Sequence, residues 1–451
     1  MTDRKVIVYQ IVSLWLFALA LRVGHLLVSL SQIGLQRLST LAPDTGAYRL
    51  VAEYFLSGGV AGEQTIFQVG PGYGLILATF EWLFGPDPLP ALVFSVFMGS
   101  LGPILVYLLA YCLIRSRTVA LIAGIFVALS TTSISLSCMV LSDQPFFTIH
   151  AAALICFVLG FRTGKTSWFV AAGTMAGLAT LVRGTGQFWW LAFALVGLIV
   201  PVPERFPSRL AVVRKACVTG GVMLIMVLAW SSRNYLAHDV FVFGGNSVSA
   251  ARVYCAALAV ANHTEDADIH DIRERWVQED REYFSDHDPT MAEGYYRARD
   301  HLWQTITSHP DWFLDAFLSS VKGNILTGNY IVRSQTPEFW PQWDQLNAIH
   351  GKWFAHLLFY TSLLGLVFLV VNRQHLAWIL LGLTFCYFTL ITGFSFWQGS
   401  RLHYPATMAW AILVSYALYR LASHSCRLIT LLNRKLDLPA RLRALARKNS
   451  R

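Results

Sequence analysis

The sequence predicts an all-α polytopic membrane protein with about ten transmembrane helices, outer juxtamembrane helices and a small helical extracytoplasmic cap. Of its 451 residues, 55% are hydrophobic and only 14% are charged, whereas about a quarter of the residues of an average soluble protein are charged. The apolar residues fall in runs of about twenty, the length of a membrane-spanning helix. These two observations exclude an ordinary soluble protein.

Ten apolar runs are expected to cross the membrane. The first run, from Val6 to Leu30, is apolar over a full membrane thickness. It is longer than the apolar core of a cleavable signal peptide, so we expect it to be retained. The predicted spans lie near residues 6–28, 90–113, 118–136, 144–161, 167–183, 187–202, 216–231, 353–371, 376–392 and 404–421.

The charges are divided unevenly between the two sides of the predicted bundle. With the amino terminus inside and the tail counted from Arg420, the inner segments carry 20 Lys and Arg against 3 acids. The inner side is therefore +17 and the remainder −8, within a formal net charge of +9. Under the positive-inside rule this places both termini in the cytoplasm. The excess of basic residues reflects the orientation of the protein in the membrane, and no nucleic-acid partner is expected.

The spans divide the chain into four parts, and function is expected on the outer side. Residues 1–231 form a transmembrane catalytic module whose first outer loop covers 31–89. Residues 232–352 form an extracytoplasmic helical loop, 353–421 the C-terminal transmembrane helices, and 422–451 a basic cytoplasmic tail that could lie on an anionic inner leaflet.

A juxtamembrane helix is predicted in the first outer loop, starting at Pro43-Asp44 and ending at Gly58-Gly59. Its expected apolar stripe consists of Ala47, Val51, Tyr54 and Phe55. Such a helix lies along the bilayer surface rather than crossing it.

Asp44 and Tyr48 lie one turn apart on this helix. A carboxylate at the outer membrane face could act as a general base on a substrate presented from the lipid. The alternative is that Asp44 only caps the helix and interacts with its dipole.

The large outer loop is predicted to be helical from Asp268 to Phe284 and again from Thr290 to Thr307. His309-Pro310 then breaks the pattern, and another helix follows. We expect a small helical cap on the bundle, and a passive lid is the alternative.

Five charged residues lie inside spans or at their outer ends, where an ionisable group is costly and function is the default hypothesis. They are Arg22, Asp143, Arg183, Arg233 and Arg401. Asp143 could bind a metal ion or only cap the start of a helix. Arg183 could only interact with the negative dipole end at a helix C-terminus. Arg401 would face a positive helix end, so an anionic partner is the simpler expectation.

Two carboxylates and several arginines at one membrane face suit the transfer of a group from a phosphate-bearing lipid. The acid would deprotonate an acceptor hydroxyl, while arginines or a carboxylate-bound divalent cation such as Mg²⁺ or Mn²⁺ would neutralise the leaving phosphate. We predict that Asp44 is catalytic and that Arg183, Arg401, Tyr404 and Tyr48 bind the donor phosphate. Asp143 is the candidate metal ligand, and Arg22, Tyr73 and Arg233 are supporting residues.

These positions belong to a series of motifs in order along nearly the whole chain. The motifs are Arg22 at the end of the first span, Asp44 with Tyr48, Gly70-Pro71-Gly72-Tyr73, Ser142-Asp143-Gln144-Pro145, Gly177 to Arg183, Trp230 to Tyr235, His309-Pro310 and Arg401 to Pro405. In this order and membrane placement the chain resembles the superfamily C glycosyltransferases. The resemblance is to the dolichyl-phosphate-mannose protein mannosyltransferase-like branch, which includes bacterial lipid A aminoarabinose transferases.

The resemblance implies a membrane glycosyltransferase that uses a polyprenyl-phosphate sugar as donor. Such an enzyme would transfer a hexosyl or pentosyl group and invert the configuration of its anomeric carbon. It implies that the acid matching Asp44 is the base and that the acid matching Asp143 lies near the metal or donor phosphate. The acceptor would be a glycan, a lipid or a protein, and the location a bacterial inner membrane with an extracytoplasmic active site.

Two motifs depart from the family's pattern. The usual Pro-Pro-Gly-Tyr-Pro is Gly70-Pro71-Gly72-Tyr73-Gly74 here, and the usual Thr-Arg-Pro is Val182-Arg183-Gly184. We expect both changes to loosen loops near the site. Because of these departures, one alternative is that the protein is an inactive structural relative of the family. The other alternative is a transporter or lipid flippase, a class of protein in which buried arginines are equally natural.

The charge asymmetry yields a topological prediction. A reporter fused after Ser249 is expected outside the cytoplasm and one fused after Arg427 inside, because the basic segments stay on the cytoplasmic side. Alkaline phosphatase and green fluorescent protein fusions measure this directly. Finding both fusions on one side would contradict the orientation.

Overall fold

The fold is all-α, as the sequence predicts. The computed structural model describes residues 3–42, 44–264, 268–395 and 398–436, and within these ranges the chain forms helices and no strand. Pro43, at the predicted helix start, and residues 437–451 of the predicted basic tail lie outside the described residues.

The first half of the chain contains the helices that carry most of the predicted spans. They are α1 (Asp3–Thr40), α2 (Asp44–Leu56), α3 (Glu63–Val69), α4 (Gly72–Phe84), α5 (Leu89–Ile114), α6 (Arg117–Leu129), α7 (Thr131–Ser137), α8 (Asp143–Thr163), α9 (Thr166–Val182), α10 (Trp189–Ile199) and α11 (Arg209–His238).

The second half contains a group of short helices, here named the cap (α12 to α18), followed by three long helices. They are α12 (Asn246–Ala250), α13 (Ala257–His263), α14 (Ile269–Tyr283), α15 (Met291–Ser308), α16 (Pro310–Leu326), α17 (Tyr330–Gln335), α18 (Trp340–Ile349), α19 (Ala355–Val371), α20 (His375–Leu390) and α21 (Thr407–Leu436). Short 3₁₀ turns at Gly399–Arg401 and Tyr404–Ala406 precede α21.

Within the described ranges, six stretches of helix are long and apolar enough to cross a membrane, which makes the protein polytopic. They are Lys5–Thr40, Leu89–Ile114, Asp143–Thr163, Arg209–His238, Pro337–Val371 and His375–Phe394. The third predicted span is broken, because α6 and α7 meet at an angle of 56°, and this pair would make a seventh crossing. Helices α9 and α10 are apolar but shorter. The count of ten spans stays a prediction.

The core of the bundle surrounds α8, which packs against α5 and α9. The whole stretch from Ser135 to Thr148 is buried, including the turn between α7 and α8. The cap has small apolar clusters of its own, one of them formed by Ala256, Ala257, Ile272 and Trp276. The site residues of α8 therefore lie in the best-packed part of the molecule.

The predicted cap helices are confirmed. Helices α14 and α15 match the two predicted ranges closely, and α16 begins at Pro310, immediately after the predicted break at His309-Pro310. A Thr290 hydroxyl and the Glu293 carboxylate form a reciprocal capping box at the start of α15, the arrangement that fixes a helix N-terminus.

Helix α2 also forms where it was predicted, but its buried stripe is different. The buried residues are Thr45, Tyr48, Val51 and Ala52, whereas Ala47, Tyr54 and Phe55 are half-buried. The stripe turns toward α4, against which α2 packs. The predicted alignment of α2 along the bilayer surface stays a prediction.

Close contact between α19 and α21 depends on Gly365. A Cβ atom at Gly365 would lie 2.1 Å from the carbonyl oxygen of Leu413, which is backbone and cannot move aside. Gly221, on α11, has no neighbouring atom within 4 Å of such a Cβ. Replacing each glycine by alanine therefore distinguishes the effect of helix packing on stability from the effect of helix propensity.

We expect Gly365→Ala to destabilise the protein by about 1–3 kcal/mol, the usual cost of overpacking. Gly221→Ala is the matched control and should be neutral or slightly stabilising, because alanine is the better helix former. Thermal unfolding of both variants in detergent tests this. Equal stability of the two variants would contradict the close α19–α21 packing.

Candidate active site

One arginine joins the two predicted carboxylates. Arg401 Nη2 donates to Asp44 Oδ2 and lies 3.4 Å from Asp143 Oδ2. Arg183 Nη1 approaches the same Asp143 oxygen at 2.9 Å. Four residues far apart in the chain thus form a compact group of two carboxylates and two guanidinium cations, named here the Asp44 cluster.

Both carboxylates occupy the first position of a helix, Asp44 in α2 and Asp143 in α8. Anionic side chains are favourable there because of the positive end of the helix dipole. Among the described residues, however, no backbone N–H donates to either carboxylate, and their partners are arginines. Capping alone does not account for these two acids.

The two carboxylates differ in access to solvent. The Asp44 side chain is 46% exposed, whereas that of Asp143 is 1% exposed. Burial raises the pKa of Asp44, but the charges of Arg401 and Arg183 outweigh it, so the pKa of Asp44 lies below its ordinary value. Asp44 is therefore the ionised carboxylate that a substrate can reach.

Tyr48 supports the cluster from a buried position. Its hydroxyl lies 2.7 Å from Ser142 Oγ, and Arg183 Nη1 donates to the same oxygen at 3.2 Å. The ring of Tyr73 packs edge-on against Tyr48, with centroids 4.8 Å apart. Through Ser142, Tyr48 is placed to position Arg183, and its direct contact with a donor phosphate stays a prediction.

Two glycines around Tyr73, Gly70 and Gly74, replace prolines of the family pattern. Gly70 lies in the turn between α3 and α4 with a left-handed φ of 84°, whereas Gly74 lies in the first turn of α4, so the expectation of a looser loop was wrong for Gly74. A Cβ at Gly74 would come within 2.1 Å of a Val51 methyl group, and this departure therefore permits close packing of α4 against α2. Gly72, which matches the family pattern, permits the close approach of α9, because a Cβ there would come within 2.6 Å of the Leu181 carbonyl carbon.

A second hydrogen-bond network lies behind Asp143. Arg22 is fully buried and donates to the Ala18 carbonyl and to the hydroxyls of Ser133 and Ser137. The Tyr404 hydroxyl lies 3.0 Å from both Ser133 Oγ and Gln144 Oε1. The ring of Tyr404 stacks on Phe147.

Arg22 and Tyr404 thus fix the residues that flank Asp143. The supporting role of Arg22 stays a prediction. Tyr404, the predicted donor-phosphate ligand, is fully buried, and its hydroxyl contacts Ser133 and Gln144; its role also stays a prediction.

Arg233 belongs to a separate group that sequence reasoning missed. Its Nη2 donates to both oxygens of Glu63, at 2.6 and 2.7 Å, and to the Tyr54 hydroxyl at 3.0 Å. His238 Nε2 lies 2.7 Å from the same carboxylate. Glu63 could have been found as an acid just after Gly62 at the start of a helix, but nothing in the sequence pairs it with Arg233.

Few of the described side chains near Asp143 are of the kind that binds a metal ion. No group of three or more His, Cys, Asp and Glu residues in the described ranges is placed to hold a metal ion. Mg²⁺ usually takes only one or two carboxylates, with water and substrate phosphate completing its shell. Asp44 and Asp143 fit that minimum, and the buried Asp143 Oδ1 has no hydrogen-bond partner.

Comparison with known proteins confirms the family resemblance over part of the chain. Residues 68–231 match the family model of dolichyl-phosphate-mannose-protein mannosyltransferase. This segment contains Tyr73, Asp143 and Arg183 but ends before Arg233 and Arg401. No curated protein sequence matches the chain.

Several solved structures are similar in fold. Archaeal oligosaccharyltransferase AglB from Archaeoglobus fulgidus, in complex with an inhibitory peptide and a dolichol-phosphate, is 16% identical with a TM-score of 0.47. The match covers 92% of this chain and 51% of AglB, so the chain spans about half the length of that protein. ArnT from Cupriavidus metallidurans bound to undecaprenyl phosphate is 14% identical with a TM-score of 0.38, covering 93% of this chain and 78% of ArnT.

The pairing of Asp44 with Arg401 predicts a pH dependence of stability. A carboxyl whose pKa is lowered by folding stabilises the protein above its unfolded-state pKa, and this contribution is lost as the pH falls through the lower, folded-state value. The excess stability of the wild type over Asp44→Asn should therefore shrink on acidification from about pH 6 to about pH 3.

Thermal unfolding midpoints of the two proteins across that range provide the measurement. Glu53→Gln, an exposed position on α2 with no ion pair among the described residues, is the control and should show no such trend. A constant difference between wild type and Asp44→Asn would contradict the ion pair.

Proposed function

We propose that the chain is a membrane glycosyltransferase that moves a sugar from a polyprenyl-phosphate-linked donor to a hydroxyl acceptor. The reaction would take place at the extracytoplasmic face of a bacterial inner membrane, with Asp44 as general base. The observation that carries the proposal is the Asp44 cluster, in which Arg401 holds an exposed carboxylate beside a buried one. The match of residues 68–231 to the mannosyltransferase family supports the same class of reaction.

The proposed reaction is a single displacement at the anomeric carbon of the donor sugar. The acceptor hydroxyl gives its proton to an Asp44 oxygen while its own oxygen bonds to the anomeric carbon. The bond from that carbon to the phosphate oxygen breaks, and its electron pair stays on the leaving polyprenyl phosphate. Attack opposite the leaving group inverts the configuration, for a hexosyl or a pentosyl group alike.

Arg401 and Arg183 are the groups that would neutralise the leaving phosphate. Arginine suits this role because its planar fork binds phosphate oxygens in pairs. The buried Nε atom of Arg401 has no hydrogen-bond partner among the residues that the structure describes, and it could donate to a phosphate oxygen. A divalent cation on Asp143 would add positive charge at the same place.

The same arginine couples donor binding to the strength of the base. While Arg401 is paired with Asp44, the carboxylate is a weak base, because a neighbouring cation stabilises its ionised form. A donor phosphate that attracts Arg401 would relieve this stabilisation and raise the proton affinity of Asp44. The base would then become effective only when a donor is bound, which limits unproductive chemistry.

Asp44→Asn is expected to lower sugar transfer by about a hundred- to ten-thousand-fold, the usual contribution of a general base. The amide keeps the size of the side chain but accepts no proton, and Arg401 retains its partner Asp143. Transfer from a polyprenyl-phosphate sugar by purified protein in lipid is the measurement, with membrane abundance checked in parallel. Full activity of a stable Asp44→Asn protein would overturn the mechanism.

Asp143→Asn provides the second arm of this experiment. It should also impair transfer, and added Mg²⁺ should restore part of the activity if Asp143 holds a metal.

The competing function, a transporter or lipid flippase, makes a different prediction. Wild-type protein would then move a lipid-linked substrate across vesicles without any chemical change.

A further inference from the structure

A spacious cleft in the described part of the chain is lined by residues other than those of the Asp44 cluster. It is a cleft of about 1140 Å³ between α3 and the cap helices α14 and α15, named here the cap cleft. Its volume exceeds the roughly 300–1,000 Å³ of a typical small-molecule pocket. A ligand that fills it is an extended molecule rather than a single sugar.

The cap cleft is lined mainly by polar side chains that can bind hydroxyl and acidic groups. Its charged residues are Arg252, Arg273, Arg275, Arg281, Asp271, Glu274 and Asp280, with Gln64, Gln68, Gln278 and His270 as further polar groups. Arg252 is satisfied by Asp280 at 2.6 Å. Of the charges that remain, three are arginines and two are acids.

The three remaining arginines are free to meet a ligand. Among the described residues, Arg273, Arg275 and Arg281 form no ion pair, and Arg275 and Arg281 are exposed. Arg273 is half-buried, with its guanidinium 5.2 Å from the ring centre of Tyr254. Guanidinium groups without a carboxylate partner bind carboxylate or phosphate through paired hydrogen bonds.

The cap cleft is connected to the Asp44 cluster through two short helices. Its floor includes Gln64 and Phe67 of α3, and the cap is attached there by a hydrogen bond from Gly245 N to the Phe67 carbonyl. Glu63 of the same helix binds Arg233, which also binds Tyr54 of α2. Asp44 begins α2, ten residues before Tyr54, a distance of about 15 Å along a helix.

We propose that the cap cleft binds a distal part of the acceptor, a saccharide segment that carries carboxylate or phosphate groups. This inference rests on the proposed transferase function, with the reacting hydroxyl at Asp44 and the remainder of the glycan extending to the cap. The volume of the cleft, about 1140 Å³, suits an acceptor several sugar residues long. The cleft thus selects for an oligosaccharide or polysaccharide, free or attached to a lipid.

The test is direct binding of a defined anionic oligosaccharide to the full-length protein in detergent. Hexagalacturonate is the probe, and maltohexaose is its neutral counterpart with the same number of sugar residues. Calorimetry should show that hexagalacturonate binds and that maltohexaose binds at least about tenfold more weakly. Raising the salt from about 50 to about 300 mM should weaken the binding of hexagalacturonate, because the exposed charges are screened.

Arg275→Gln combined with Arg281→Gln should weaken hexagalacturonate binding at least about tenfold, since both arginine forks are lost. Both side chains are exposed, so the variant is expected to fold. Arg299→Gln is the matched control, an exposed arginine of α15 that does not line the cleft, and should bind within about twofold of wild type.

Three results would overturn the inference: no binding of hexagalacturonate, equal binding by the double variant, or equal binding of maltohexaose. The Asp44→Asn protein keeps the two proposals separate. It should bind the probe as tightly as the wild type, because binding in the cap cleft needs no general base. If Asp44→Asn abolishes transfer but the wild-type protein does not bind hexagalacturonate, the proposed function stands. The cap cleft is then rejected as the acceptor site.

Discussion

The position of Arg401 between two carboxylates is the interaction on which the arrangement of this protein depends. Asp143 is almost completely buried, and an ionised carboxylate in that environment requires a cation and hydrogen bonds to be tolerated. Arg401 and Arg183 supply the cations. By binding Asp44 as well, Arg401 joins α2 to α8, so the exposed carboxylate is fixed relative to the buried one.

Arg401 itself is held by a loop that the cap keeps in place. Asn324 of α16 donates to the carbonyls of Thr392 and Ser395 and accepts from the Gln398 backbone. Gly399 has a left-handed φ of 65°, and a Cβ there would lie 2.5 Å from the Gly328 carbonyl oxygen. The cap therefore has a structural consequence for the Asp44 cluster, in addition to the cleft that it encloses. A passive lid does not describe these contacts.

The buried turn before Asp143 explains several polar residues that lie far apart in the sequence. Buried backbone carbonyls must find donors, and here side chains from distant helices provide them. The donors are Thr45 for Val140, Gln335 for Ser135 and Cys138, and Gln144 for Ser133. Arg22 acts in the same region through Ser133 and Ser137.

This dependence on distant partners shows what the sequence could and could not predict. The cap helices and the sites of costly charge were predictable, because periodicity, Pro and hydropathy are local properties. The group of Glu63, Arg233 and His238 was not, since no local pattern records which acid meets which arginine. Gly74 was misjudged for the same reason. It allows the close approach of Val51, which only the packed structure reveals.

The charge balance of the Asp44 cluster bears on how a transferase of this design would avoid wasteful chemistry. Two carboxylates and two guanidinium groups are neutral together, so the cluster is stable without a ligand. A bound donor phosphate would add negative charge and would attract Arg401, the cation that is paired with Asp44. Its movement toward the phosphate would leave Asp44 with less compensating charge and a greater affinity for a proton. The proposed base would therefore gain strength through the binding of its own donor, and the acceptor hydroxyl would be activated only beside a sugar that can receive it.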